Sequence, residues 1–311
     1  MVTKPTTLIL GAGASAPFGF PTGNALLQKA LSWANVEVGR TNPHIFRGIG
    51  IEKPKIDLFR EALSKSGTAS VDSFLEHRPE FLDIGKAVIA LELIGCEQEH
   101  KLFEHNETNW YQYLFNELNT NFDDFNKNKL SILTFNYDRS LEHYLLTALH
   151  HKYNKPMAEC AEKLKSIPII HLHGDLGGLP YLDNNLVRPY STDINNEIVQ
   201  IATERIKIIH EGFDNAPQFA LAQKILRESH YICFLGFGYH HLNIKRLGFK
   251  DAGGYAFQAN LLGSTQGFTF EERKHLTGRF QGQLKFESYP RAIDHDVLSF
   301  LRETNILRVA S

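Results

Sequence analysis

Cysteine is scarce in this chain. Its 311 residues hold three, Cys96, Cys160 and Cys233, too few and too scattered for a disulfide framework or a zinc ribbon. Long apolar runs are missing as well: none approaches the roughly 18 residues of a membrane-spanning helix, and the stretch before Gly11 is too short for a signal-peptide core. A cytoplasmic protein is expected. Neither sign of charge dominates, since 33 basic and 35 acidic residues leave a net charge of −2, so no overall field directs the chain to nucleic acid or an anionic membrane. Low-complexity tracts and internal repeats are absent from a chain that is 42% hydrophobic, as in an ordinary globular protein. Histidine is plentiful at 15 residues, but His150-His151 and His240-His241 are adjacent pairs without the three- or four-residue helical spacing that would aim two rings at one metal. No metal site is expected.

What is present is a recurring unit, a short β-branched and aliphatic run leading into a Gly, Asn or His turn. It occurs at TTLILGAG (6–13), SILTFNYD (131–138), IPIIHLHG (167–174) and HYICFLGFG (230–238). Such runs suit strands buried on both faces of a parallel sheet, and YAFQANLLG (255–263) and QLKFESYP (283–290) read as two more. Helical patterns separate them over Asn24–Ala34, Phe81–Ile94, Trp110–Leu118, Ser140–His150, Ile194–His210 and Asp294–Thr304. The alternation predicts an α/β fold built on a Rossmann-like parallel sheet. About residues 35–129 lie between the first two strands, too many for a connection in a compact domain. With VDSFLEH, ALELIG and WYQYLFNEL carrying apolar faces, they predict a mainly helical insertion within one domain spanning 1–311, and a further irregular excursion is expected at about 176–225.

Ligands of open α/β sheets bind beyond the carboxyl ends of the strands, and the polar residues of interest all fall there. Gly11-Ala12-Gly13 follows a strand and precedes a helix expected to start at Thr22. Glycine removes the Cβ that would hold a phosphate away from the backbone, and a helix start offers unpaired N–H groups to an anion; a plain tight turn uses the same residues. A dehydrogenase would need an acidic residue about twenty positions on, ending a second strand. Glu37 alone is placed for it, and no convincing strand precedes it. At the next strand end, Asn136 and Asp138 offer an amide and a carboxylate to ribose hydroxyls or a water; an Asx turn capping the Ser140 helix is the plainer reading of Asp138. The third strand ends His171-Leu172-His173-Gly174. Alternation puts both histidines on one side, and the glycine leaves His173 at the mouth, where it can take a proton from a ribose hydroxyl or a water. His171 reads as a structural, hydrogen-bonded histidine. Gly236-Phe237-Gly238 offers another close backbone approach, suited to an adenosine, or a glycine-softened turn.

With these four motifs in order, the chain resembles the sirtuin superfamily. The family's G-A-G-x-S and G-[IF]-P stand here as Gly11, Ala12, Gly13, Ser15, Gly19 and Pro21. Its T-x-N-x-D matches Thr134, Asn136 and Asp138, its H-G matches His173-Gly174, and its fourth glycine motif loosely matches Gly236 to Gly238. The motifs span about residues 7–240. The resemblance implies a Rossmann-like sheet with a smaller inserted domain, and NAD as the bound dinucleotide. The departures are informative too. Of the four zinc-binding cysteines usual after H-G only Cys233 is present, the Phe-Arg after G-I-P is replaced by Gly23-Asn24, the Gln of T-Q-N by Phe135, and the Ser/Thr of the fourth motif by Phe237 or Gly238. A zinc ribbon and an acyl-lysine groove are therefore not expected. In this the chain is similar to the divergent, zinc-free sirtuin-like NAD hydrolases of bacterial antiphage defence.

That likeness implies cleavage of NAD to nicotinamide and ADP-ribose, depleting NAD in an infected cell (abortive infection). The transition state is oxocarbenium-like and needs no strong nucleophile. By the resemblance, Asn136 would orient the ribose or the attacking water, His173 would accept a proton, and Asp138 would hold the ribose or fix the Asn136 loop. The backbone at Ala12, Gly13 and Ser15 would hold the pyrophosphate, with Gly11, Pro21 and Thr134 among the cofactor-binding positions and Gly236 and Gly238 beside the adenosine. The alternatives are an NAD-dependent protein deacylase or ADP-ribosyltransferase, and a non-catalytic subunit that senses NAD or ADP-ribose. An uncontrolled NAD hydrolase would poison its host, so family analogy implies control by homo-oligomerisation or by a partner such as a DNA-translocase ATPase or an Argonaute-like protein. No direct nucleic-acid or membrane contact is expected.

Overall fold

In the computed structural model, residues 1–32, 43–208, 217–249, 259–280, 284–285 and 296–310 are described. Six strands, β1 (Thr6–Leu10), β2 (Leu130–Thr134), β3 (Ile169–His171), β4 (Tyr231–Leu235), β5 (Asn260–Gly263) and β6 (Leu284–Lys285), pair in the order β3-β2-β1-β4-β5-β6. Every pairing is parallel. The fold is α/β and Rossmann-like. The strand order reverses between β1 and β4, and a crevice opens there in doubly wound sheets because the following helices go to opposite faces.

All five residues of β1 are buried, which is why its sequence is a continuous apolar run rather than an alternating one. Alternation still sorts its side chains. Leu8 and Leu10 join Ile132, Cys233 and Leu235 in one core, while Ile9 joins Leu133, Ile232 and Phe234 in the core of the opposite face. β3 is shorter than the run 167–174 implies. The chain leaves the sheet after His171 and turns back through Gly174, at φ +74°, whose N–H donates to the His171 carbonyl at 3.4 Å.

The first helix begins earlier than Thr22: α1 (Ala12–Ser15) follows β1 at once with Gly11 at its N-cap, and α2 (Gly23–Ser32) comes after it. The segment before β2 is mainly helical, as its apolar faces predict, with α3 (Pro43–Gly48), α4 (Lys53–Lys65), α5 (Val71–His77), α6 (Leu82–Ile94), α7 (Glu99–Phe103) and α8 (Trp110–Glu117). Buried residues run all round α6, and they belong to the same core as Leu8 and Leu10 of the sheet. The insertion therefore packs on one sheet face. Trp110 fastens it, donating its indole N–H to the Ala14 carbonyl at 2.7 Å.

Beyond β2 come α9 (Ser140–Tyr153), α10 (Met157–Leu164), α11 (Asn196–Arg205), α12 (Pro217–Glu228), α13 (His241–Arg246), α14 (Phe270–Arg279), α15 (Val297–Thr304) and α16 (Ile306–Val309). Helix α12 occupies the end of the stretch expected to be irregular, because Phe219, Ala222 and Leu226 recur at helical spacing and are buried together. Glu37, the helix ends at 33–34, 209–210 and 294–295, and the strand residues 255–258, 283 and 286–290 lie outside the described residues. No helix among the described residues is long and apolar enough to cross a membrane.

Candidate active site

Pairing aligns Leu10 with both Thr134 and Leu235, and Thr134 with His171. Gly11, Phe135, Leu172 and Gly236 thus leave the sheet at one level. The two glycine turns then close on each other. The Gly11 N–H donates to the Leu235 carbonyl at 3.1 Å and the Gly13 N–H to the Gly236 carbonyl at 3.0 Å. A Cβ on Gly11 would lie 2.7 Å from the Gly236 oxygen, and one on Gly236, at φ +55°, 2.1 Å from the Ala14 nitrogen. These glycines serve the contact of loop on loop, and the Gly13 amide is already bonded within the fold. The Ala12 amide has no partner among the described residues.

Asn136 is held from four sides. Its side-chain amide donates to the Gly11 carbonyl and to Ser15 Oγ, each at 3.0 Å, and its backbone N–H donates to Thr134 Oγ1 at 3.0 Å. Its backbone carbonyl accepts from His171 Nδ1 at 2.9 Å. What remains for a ligand is Oδ1, which has no partner among the described residues. Asp138 forms the Asx turn that capping predicts, accepting from the Ser140 N–H at 3.2 Å and from the Ser140 hydroxyl. Burial pushes its carboxyl pKa up, against hydrogen bonds from Ser140 and Ser15. It also faces a cavity of about 80 Å³, whose lining includes Ala12, Ser15, Pro21, Asn136 and Asp138.

The two histidines have different surroundings, because β3 ends at His171 and strand alternation no longer governs His173. His171 donates from Nε2 to Glu142 Oε1 at 2.6 Å. Burial works against its charge, but the Glu142 carboxylate outweighs this and lifts its pKa to about 9. His171 is the hydrogen-bonded structural histidine that its position suggests, and it also braces the Asn136 loop. His173 is 8% exposed and packs edge-on to Phe135 at 5.3 Å, with Phe219 and Tyr137 at 6.4 Å. Its Nε2 is buried without a hydrogen-bond partner among the described residues. Burial, then the Arg246 guanidinium, push its pKa down to about 3, so the ring is neutral at physiological pH.

Five of the motif residues therefore meet at one cavity, with Gly11 and Thr134 holding Asn136 from behind. Gly236 backs onto Gly13, and Gly238 is exposed with open space around it. Four further residues were not singled out by motif: Glu142, Arg246, Tyr137 and Asp72, the last reaching the cavity from the insertion. Asp72 in the first turn of α5 reads locally as an acid complementing the helix dipole, so spacing carries no sign of its role. A wider cleft of about 710 Å³ runs along the free edge of β3. Several of its charged groups are paired with one another: Arg205 holds Asp175 at 2.6 Å and Asp183 at 2.8 Å, and Glu142 holds His171.

No protein-family model matches the chain, and no curated protein matches it.

Proposed function

We propose that this protein is an NAD glycohydrolase, splitting the nicotinamide–ribose bond to release nicotinamide and ADP-ribose and so depleting NAD, in the manner of the sirtuin-like antiphage proteins its motifs resemble. The observation that carries this reading is Asn136, locked at a strand end beside the switch point with only its carboxamide oxygen left over. The orphaned Nε2 of His173, two residues beyond the end of the neighbouring strand, supports it. Buried polar atoms are almost always partnered, so an unpartnered one at such a place invites a ligand hydroxyl.

The chemistry balances without a strong acid or base. The electron pair of the glycosidic bond passes to the pyridine nitrogen and cancels its charge, so the leaving group needs no proton. Water oxygen adds to the ribose carbon and gives up one proton. Asn136 Oδ1 would accept from a ribose hydroxyl or from that water, and Asp138 would hold the loop. His173, with a pKa of about 3, would orient the hydroxyl and pass the proton on rather than store it. The 80 Å³ cavity is well below the roughly 300–1,000 Å³ of a typical small-molecule site. It would take only the nicotinamide end, the remainder lying along the open ends of β1 and β4.

A second reading, a subunit that senses NAD or ADP-ribose without consuming it, is favoured by the weak basicity of His173 and the commitment of the Gly13 amide. Incubation of the purified protein with NAD, quantifying nicotinamide and ADP-ribose by chromatography, separates the two. Release by the wild type is expected, falling at least about a hundredfold in Asn136→Ala and His173→Ala at unchanged melting temperature. Binding without release in any assembly state would identify a sensor, and neither binding nor release would end the NAD proposal. Release that requires an acyl-lysine or protein acceptor would point instead to a deacylase or transferase. Control by self-association or by a separate activating partner belongs to the same proposal, and is tested by comparing release across oligomeric states.

A further inference from the structure

The insertion lines the small cavity with Leu93 of α6 and with Asp72 of a short helix, α5. In α5, capped by Ser70, Asp72 and Glu76 are four residues apart and share a face. Asp72 lines the small cavity with Asn136 and Asp138, and the Tyr137 hydroxyl donates to its Oδ1. Glu76 pairs with Arg246 at 3.4 Å, and Arg246 stands close enough to His173 to act on its charge. Tyr137 lies between the halves, bonded to Asp72 at its hydroxyl and with its ring 6.4 Å from His173. One helix face thus addresses both the Asn136 cavity and the imidazole whose Nε2 is unpartnered.

The charges at the cavity are one-sided. Asp72 and Asp138 are the charged groups among the described residues that line it, and no Lys or Arg is among those residues. The neighbouring Glu76 and Glu142 carboxylates add to the negative side. A desolvated carboxylate without a counter-charge is costly, and the cost is relieved when a ligand brings the missing charge into the same low-dielectric space. We infer that Asp72, presented by the insertion, is the specificity-determining carboxylate of the site: it recognises a positively charged pyridinium–ribose centre, admits the oxidised dinucleotide and discriminates against the uncharged dihydropyridine of the reduced one. Tyr137 is a neutral hydrogen-bond donor to it and supplies no counter-charge. This inference rests on the NAD reading of the site.

The test is equilibrium binding by calorimetry, using the full chain with His173→Ala so that bound NAD is not consumed, and with NAD and NADH as the two probes. In that background NAD should bind more tightly than NADH by about tenfold or more. Adding Asp72→Asn, which keeps the shape and removes the charge, should bring the ratio close to one by weakening NAD alone. Tyr137→Phe leaves the carboxylate in place without its neutral donor, so the ratio should hold or rise; this variant decides the matter if Asp72→Asn does not fold. An unchanged ratio in Asp72→Asn, or a collapsed ratio in Tyr137→Phe, overturns the inference. Equal binding of both probes before either substitution overturns it while leaving the NAD site standing, and binding of neither removes both.

Discussion

His171 and His173 are two positions apart, yet a carboxylate holds one of them charged and an apolar pocket holds the other neutral. Their effects on stability therefore run in opposite directions. The folded pKa of His173 lies near 3 against an ordinary 6.5, so the unfolded chain binds the extra proton, and this contribution is whole above pH 6.5 and lost as pH falls toward 3. For His171 the folded value lies near 9 against 6.5, so its contribution is whole below pH 6.5 and lost as pH rises toward 9. Urea midpoints measured across pH should show a flatter acid arm in His173→Gln and a flatter alkaline arm in His171→Gln. Arms that match the wild type would refute these charge states. For the same reason, nicotinamide release should carry no inflection from His173 between about pH 5 and 8.

At the scale of elements, the β1–α1 and β4–α13 turns act as one unit, because each supplies the backbone that the other's glycines approach. Gly236→Ala forces a side chain into positive φ and against the Ala14 nitrogen, so it should lower unfolding free energy by about 2–4 kcal/mol. Gly238→Ala, with nothing near its Cβ, should change stability by no more than about 0.5 kcal/mol. Chemical denaturation of the pair measures the contrast; equal effects would mean that the turns do not pack in this way. Both glycines look alike in the sequence, as members of one G-F-G. Strand register tells them apart, by levelling Gly236 with Gly11 so that it meets Gly13 in the turn that follows, and leaving Gly238 beyond the contact.

At the scale of the molecule, a buried ion cluster ties three distant segments together. Glu97 follows α6, Arg139 precedes α9, and Arg188 belongs to the irregular stretch after β3. The Glu97 carboxylate accepts from Arg139 at 2.8–3.0 Å and from Arg188 at 2.7 Å, with all three side chains no more than 2% exposed. Arg139 also donates to the carbonyls of Gly177, Gly178, Arg188 and Pro189. Removing the shared anion leaves two guanidinium groups undercompensated in the interior, so Glu97→Gln should cost about 3–5 kcal/mol by denaturant titration. Arg139 adjoins Asp138, so any nicotinamide release should fall as well. A near-neutral Glu97→Gln would show that the cluster does not hold these segments.

The parallel α/β class and the helical character of the insertion are legible in the chain itself, and so are the strand ends that carry the polar motifs. Strand runs, helical spacing and the turns that end them are local signals, and parallel strands put their carboxyl ends on one side whatever else the chain does. What each group at those ends is free to do came from packing. It bonded the Gly13 amide to Gly236, raised one histidine and lowered the other, and brought Asp72 to a cavity shared with Asn136, 64 positions further along the chain. Hydrogen-bond partners, burial and charge environment depend on which distant segments pack together, and no spacing along the chain encodes that.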